Sequence, residues 1–312
     1  IGYNPRQVEV NQVSGSQYQW DFAYGGNYDD ILYFGAGLNI SSIKNKTESK
    51  YTERDFDNNS NLHSITLNNS LDLRGTGVSA SAGLIARPSD YFRIGVSVMS
   101  PTYYEMTEES TMSLETEYNV TDASFIADES GEEINVSFDD NVFYDEFDPY
   151  TSSYSLKTPG KITLGGAFFL GKIGFVSADV DVVNHSGAKL KSEDFTVTED
   201  NQTIKNIYQN TTNFRVGTEI RLDVFRLRGG YSYQGDPYTS DEIDGSLQQF
   251  SGGLGYRNKQ YFVDLAATHS TFNTQRSPYF ISSLENEGED LSPVAYTENR
   301  NLNLSVTVGF NF

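Results

Sequence analysis

The C-terminal stretch constrains this chain more than any other feature. Leu302, Leu304, Val306, Val308, Phe310 and Phe312 alternate with Asn303, Ser305, Thr307, Gly309 and Asn311, so one face is apolar and the other polar or small. Successive side chains of a strand point to opposite faces, and this period of two leaves no helical reading.

The same alternation runs through the chain. Tyr18, Trp20, Phe22 and Tyr24 share a face, as do Leu32, Phe34, Ala36, Leu38 and Ile40 beyond a turn at 27–30. Val78 to Leu84 and Phe92 to Val98 flank Pro88-Ser89-Asp90, and Ile162 to Leu170 and Val176 to Val182 flank Gly171-Lys172. Phe214 to Leu222 and Phe225 to Tyr233 meet at Asp223-Val224, and Phe250 to Tyr256 and Tyr261 to Ala267 meet at Asn258-Lys259. With the C-terminal strand this predicts an all-β chain of about eleven strands. Residues 1–16 read as the end of a loop, with a weak further strand at Val8 to Val13.

Tight turns join the strands at one end, and long polar segments at 41–77, 102–160, 184–211, 234–247 and 273–293 join them at the other. Short turns on one side, long loops on the other and strands of about ten residues with alternate apolar positions describe a transmembrane antiparallel β-barrel of the bacterial outer membrane. A soluble sandwich would bury one face of each strand but would not gather its long loops at one edge. Composition agrees with the barrel. Hydrophobic residues make up 37% of the 312, which suffices when only alternate positions face lipid, and 13% are aromatic, many at strand ends. No apolar run approaches the roughly 18 to 20 residues of a membrane helix. The chain holds no Cys, which excludes a disulfide scaffold or a Cys-ligated metal, and a net charge of −21 argues against a nucleic-acid partner.

A lipid-embedded sheet must close, and single-chain bacterial barrels have even strand numbers. An odd count, together with a start at Ile1 that shows no targeting signal, suggests a processed or truncated chain whose first strands are missing. The expected organisation is one barrel domain over residues 1–312, with long loops outside the cell and the C-terminus periplasmic.

Several segments resemble the FadL/TodX outer-membrane transporters of long-chain fatty acids and hydrocarbons, particularly the Bacteroidetes branch. They are Gly25-Gly26-Asn27-Tyr28 with Leu32-Tyr33-Phe34-Gly35, then Arg87-Pro88-Ser89-Asp90-Tyr91-Phe92-Arg93-Ile94-Gly95, Ser100-Pro101-Thr102-Tyr103-Tyr104, Tyr154-Ser155-Leu156-Lys157-Thr158-Pro159 and the terminal Phe312. The resemblance covers the chain from about residue 17 onward and implies a 14-stranded barrel plugged by an N-terminal hatch. This chain would then supply the last eleven strands, without the hatch. It also implies passive transport of hydrophobic compounds without enzymatic activity or a cofactor.

The 102–160 segment holds fifteen acidic residues against one base, Lys157, and so carries two thirds of the net negative charge. Its aromatics include Tyr103, Tyr104, Phe143 and Phe147, which the resemblance implies help to form an external groove capturing a fatty acid or hydrocarbon. Acidic oxygens at this density suit Ca²⁺ or the cations that bridge lipopolysaccharide, but no EF-hand spacing is present, and a solvated loop is the simpler reading.

Strand parity places eight bases and five acids on the inward face: Asp21, Arg87, Arg93, Lys161, Asp179, Asp181, Arg215, Glu219, Arg221, Arg226, Arg228, Arg257 and Asp264. Arg215 and Arg228 are candidate partners for a ligand carboxylate. The alternative is that these charges pair across strands or hold a plug. An enzyme would have to use His63, His185 or His269, and none stands beside a paired acid and an oriented nucleophile in sequence. A second function remains open, a barrel subunit of a secretion or surface-assembly complex that holds a protein partner.

Overall fold

The computed structural model describes residues 5–57, 60–120, 122–127, 132–137, 141–240, 244–277, 292 and 294–310. The strands in chain order are β1 (Arg6–Tyr28), β2 (Leu32–Arg54), β3 (Leu62–Ser89), β4 (Phe92–Met99), β5 (Tyr103–Tyr118), β6 (Asp122–Ala127), β7 (Glu132–Ser137), β8 (Val142–Glu146) and β9 (Tyr150–Lys157). They continue as β10 (Lys161–Phe169), β11 (Gly174–Asn184), β12 (Lys189–Lys191), β13 (Asn210–Leu222), β14 (Phe225–Gln234), β15 (Leu247–Arg257), β16 (Tyr261–Arg276) and β17 (Ala295–Phe310). Among the described residues one α-helix, α1 (Thr198–Ile207), lies between β12 and β13.

One sheet runs β1-β2-β3-β4-β10-β11-β13-β14-β15-β16-β17, and these are the eleven strands that the alternation predicts. The chain leaves after β4 and returns as β10 beside it, pairing Gly95 with Gly165. Strands β5, β8, β9 and β12 add to the same sheet through β3, while β6 and β7 pair only with each other. Among the described residues β1 pairs only with β2, and β17 only with β16.

The chain divides into two compact units. The first comprises Ile1–Tyr18, Ser42–Thr76 and Met106–Tyr154, and the second Gln19–Ser41, Gly77–Glu105 and Ser155–Phe312. In the first unit β8 lies along β5, with Phe143 opposite Thr116. This unit corrects the expected loops: much of 41–77 and 102–160 is strand, as is the segment from Arg6 that reads as loop in the sequence. Strand pairing uses backbone N–H and C=O groups and needs no apolar face. Where both faces carry Ser, Thr, Asn, Lys and Glu, the pairing persists and the period-two apolar signal disappears.

The second unit is inside out relative to a water-soluble fold. Leu304, Val306 and Phe310 are 75, 68 and 68% exposed, whereas Asp181 is 3% exposed. Among all the described residues the buried hydrophobic ones are only Tyr104 and Met106. A sheet with this many bare apolar side chains on one face requires an apolar solvent. Aromatic contacts mark its two borders. Tyr231 lies against Phe250, with ring centroids 4.8 Å apart, and Phe225 against Tyr256 at 5.7 Å. Phe250 and Tyr256 are both on β15, about 20 Å apart along the strand, with Leu254, Leu227 and Leu265 forming the aliphatic band between them.

The turn chemistry follows the sequence. Asp29 and Asp30 both take positive φ, 54° each, closing β1 to β2 with Ile31 N–H donating to the Tyr28 carbonyl at 3.1 Å. The Asn258 side chain accepts from the backbone N–H groups of Gln260 and Tyr261, each at 2.8 Å. Gly171 takes φ +57° in the β10–β11 turn with nothing near its missing side chain. A β-branched residue there is strained by about 1–2 kcal/mol through backbone crowding alone. Gly171→Val is therefore expected to lower the urea midpoint for refolding into lipid vesicles, and an unchanged midpoint would mean that this turn is not left-handed.

Candidate functional site

Alternation aims the polar residues of the second unit at its other face, and most of the charges there are matched. Asp181 accepts from Thr163 at 2.7 Å and from the Arg215 guanidinium at 3.0 and 3.1 Å, with the Lys161 ammonium 4.0 Å away. Glu219 receives Arg221 at 2.7 Å and Arg228 at 2.8 Å, and Arg228 also reaches Asp264 at 2.6 Å. Arg226 donates to the carbonyls of Asp223 and Phe225. Most of these pairs run across strands, while Arg221 and Glu219 are two residues apart on β13, and half-buried charges need such partners.

Beside this network the face carries mostly small side chains, with Tyr33, Ile85 and Phe169 among them. A groove of about 830 Å³ crosses β1, β2, β3, β4, β10 and β11. Its walls come from Gly35, Gly37, Gly83, Gly95 and Gly165, with Ala and Ser at many other positions. Gly95 pairs directly with Gly165, so two facing strands contribute no side chain at the same level. The charged residues lining the groove are Arg93 and Asp179.

Among solved structures the chain is similar to a FadL homologue from Pseudomonas aeruginosa, with 15% identity and a TM-score of 0.59 over 95% of this chain and 68% of that one. The chain has the FadL-type β-barrel fold. Lower-scoring likenesses include the Pseudomonas putida toluene transporter TodX, with 13% identity and a TM-score of 0.47 over 99% of this chain and 90% of that one. Another is the CymD monoaromatic hydrocarbon channel, with 10% identity and a TM-score of 0.43 over 100% and 89%. No protein-family model matches the chain, and no curated protein matches it in sequence.

The FadL-type barrel separates the residues singled out from the sequence. Tyr103 and Tyr104 are neighbours on β5 and so face opposite ways: Tyr103 is 60% exposed, while Tyr104 is buried with its ring against Gly77. Phe143 and Phe147, both half exposed, belong to the first unit, where Phe147 N–H donates to the Met112 carbonyl at 3.0 Å. Arg215 and Arg228 are both engaged by carboxylates, as above. Of the acids in 102–160, Glu105 accepts from Ser155, Glu108 from Tyr154 and Glu117 from Ser64. Asp128, Glu129, Asp139 and Asp140, with Phe138, lie outside the described residues, as do Phe312 and most of 273–293. Among the described residues no three His, Asp or Glu side chains are arranged to hold a metal ion.

The histidines stand apart. His63 lies 3.8 Å from Glu117, His269 3.5 Å from the Thr271 hydroxyl, and His185 3.1 Å from the Thr211 hydroxyl. His185 sits in a turn of 3₁₀ helix beyond β11, where burial holds its imidazole below the usual histidine value. Sequence reasoning placed Arg93 and Asp179 on the inward face but did not mark them as site residues. The signal for the groove was the recurrence of Gly at inward positions of β2, β3, β4 and β10.

Proposed function

We propose that this chain is a passive outer-membrane channel for hydrophobic compounds, with long-chain fatty acids and hydrocarbons as the class of cargo. Its short turns face the periplasm and the 102–160 segment the outside, where the half-exposed rings of Phe143 and Phe147 offer apolar contact to an arriving molecule. One observation carries the reading: the inward face of a FadL-type barrel holds a roomy groove walled by small side chains in place of a packed interior. Movement down a gradient needs only a low-friction apolar path. In this reading no bond is broken.

The test is uptake of the neutral dye N-phenyl-1-naphthylamine by Gram-negative cells, whose lipopolysaccharide otherwise excludes it. Cells making the protein are expected to take the dye up faster than cells without it. Gly95→Leu fills the groove from β4, where a Cβ meets only ordinary contacts, the nearest being Ile85 at 3.4 Å. Uptake should fall to the level of cells lacking the protein while the heat-modifiable gel mobility of the folded barrel is kept. Equal uptake with and without the protein, alongside a stoichiometric protein co-purifying with the barrel, would replace this reading with that of an assembly subunit.

A further inference from the structure

Among the described residues eight of the thirteen inward charges of the second unit have found an opposite charge, and of the five that have not, Asp21, Arg93, Asp179, Arg226 and Arg257, two line the groove. The Arg93 guanidinium rests 4.6 Å from the centre of the Phe169 ring, a cation–π contact that leaves its N–H groups uncommitted to any carboxylate. Asp179 stands directly opposite Arg215 in the β11–β13 register, but that guanidinium is turned to Asp181 one step along the face. Arg93 and Asp179 both line the 830 Å³ groove, and the other three do not.

The same unit contains a completed version of this arrangement. Asp264 faces Gly255 across β15 and β16, and its carboxylate lies over the glycine so closely that a Cβ there would collide with Oδ1. From that position it reaches over the intervening strand to Arg228 on β14, two residues along from Arg226, which is the partner of Gly255. Asp179 faces Gly165 in the same way, with its Oδ1 again occupying the place of a Cβ. The β4 partner of Gly165 is Gly95, and Arg93 is two residues along from it, toward the turns where Arg228 is away from them. Each Asp and Arg are thus two strands and two residues apart, roughly 12 Å between α-carbons by ordinary sheet geometry. Long side chains reach across that separation, as the bridge from Asp264 to Arg228 demonstrates. In both cases the missing side chain of the middle strand opens the way.

We infer that Arg93 and Asp179 are the selectivity pair of the groove: Asp179 closes on Arg93 across Gly165, so an anionic hydrophobic compound must displace Asp179 to use Arg93, whereas a neutral one meets charges already matched. The inference rests on the channel reading above. Two dyes of nearly equal size separate the cases, neutral N-phenyl-1-naphthylamine and anionic 8-anilino-1-naphthalenesulfonate, each followed by its fluorescence on reaching the cell interior.

Asp179→Asn removes the competitor and is expected to raise the ratio of anionic to neutral uptake by about tenfold, the scale of one unscreened charge contact at a protein surface. Gly165→Ala should raise the ratio in the same direction, because its methyl group takes the place of the Asp179 carboxylate. Arg93→Gln should lower the ratio and cancel the gain when combined with Asp179→Asn. Neutral uptake that persists with an unchanged ratio in both Asp179→Asn and Gly165→Ala would overturn the selectivity pair and leave the channel standing. Absence of protein-dependent uptake for either dye in the unaltered chain would overturn both.

Discussion

Asp181→Ala is expected to be among the most destabilising single changes in the second unit, at about 3–5 kcal/mol. Asp181 is 3% exposed and gathers the Arg215 guanidinium, the Thr163 hydroxyl and the more distant Lys161 ammonium. Its removal leaves two cations on β10 and β13 facing each other without an anion, and a hydroxyl that has lost its acceptor. The cost comes from uncompensated charge, so removing a cation at the same time should recover part of it. The double variant Asp181→Ala with Arg215→Ala is accordingly expected to refold into lipid vesicles at a higher urea concentration than Asp181→Ala alone. A single variant within about 0.5 kcal/mol of the unaltered protein, the ordinary range of a surface change, would mean that this cluster bears no structural load.

The second large effect separates the two faces of one strand. Leu265 on β16 lies between Leu254 and Val306 in the aliphatic band, 50% exposed, and the next residue, Ala266, faces the other way. An Arg near the bilayer midplane on the lipid face costs roughly 2–4 kcal/mol, because its charge must leave water or drag water inward. Leu265→Arg should show a loss of that size when refolding is followed in vesicles. Ala266→Arg, one residue away, projects into the wet interior and should stay within about 1 kcal/mol. Equal losses at the two positions would mean that the two faces of this strand meet the same surroundings, and would sink the membrane reading.

Particular residues show how far the sequence could be read. All eleven strands of the continuous sheet were legible because lipid on one face and water on the other write a period of two into each, as from Leu302 to Phe310. The outer parts of β2, β3 and β5 were not legible, because segments such as Lys44–Arg54 carry polar residues on both faces and pair without an apolar signature. Residue type and inward parity point to Arg215 and Arg228 as ligand partners, and the structure adds that both are held by carboxylates on other strands. Arg93 shares that type and parity, and only the identity of its cross-strand neighbours, Ala167 on β10 among them, leaves it without an acid.

The alternation alone therefore determined that this chain is all-β with one apolar face to each strand of the continuous sheet, because side-chain direction along a strand is local and needs no knowledge of the partner strand. Which charges meet, which stay unmatched and where the missing side chains line up depended on register between strands far apart in sequence, such as Gly95 with Gly165 and Asp264 with Gly255. A slip of one residue in either pairing would exchange the two faces, so the groove and its two charges exist only once the sheet has formed.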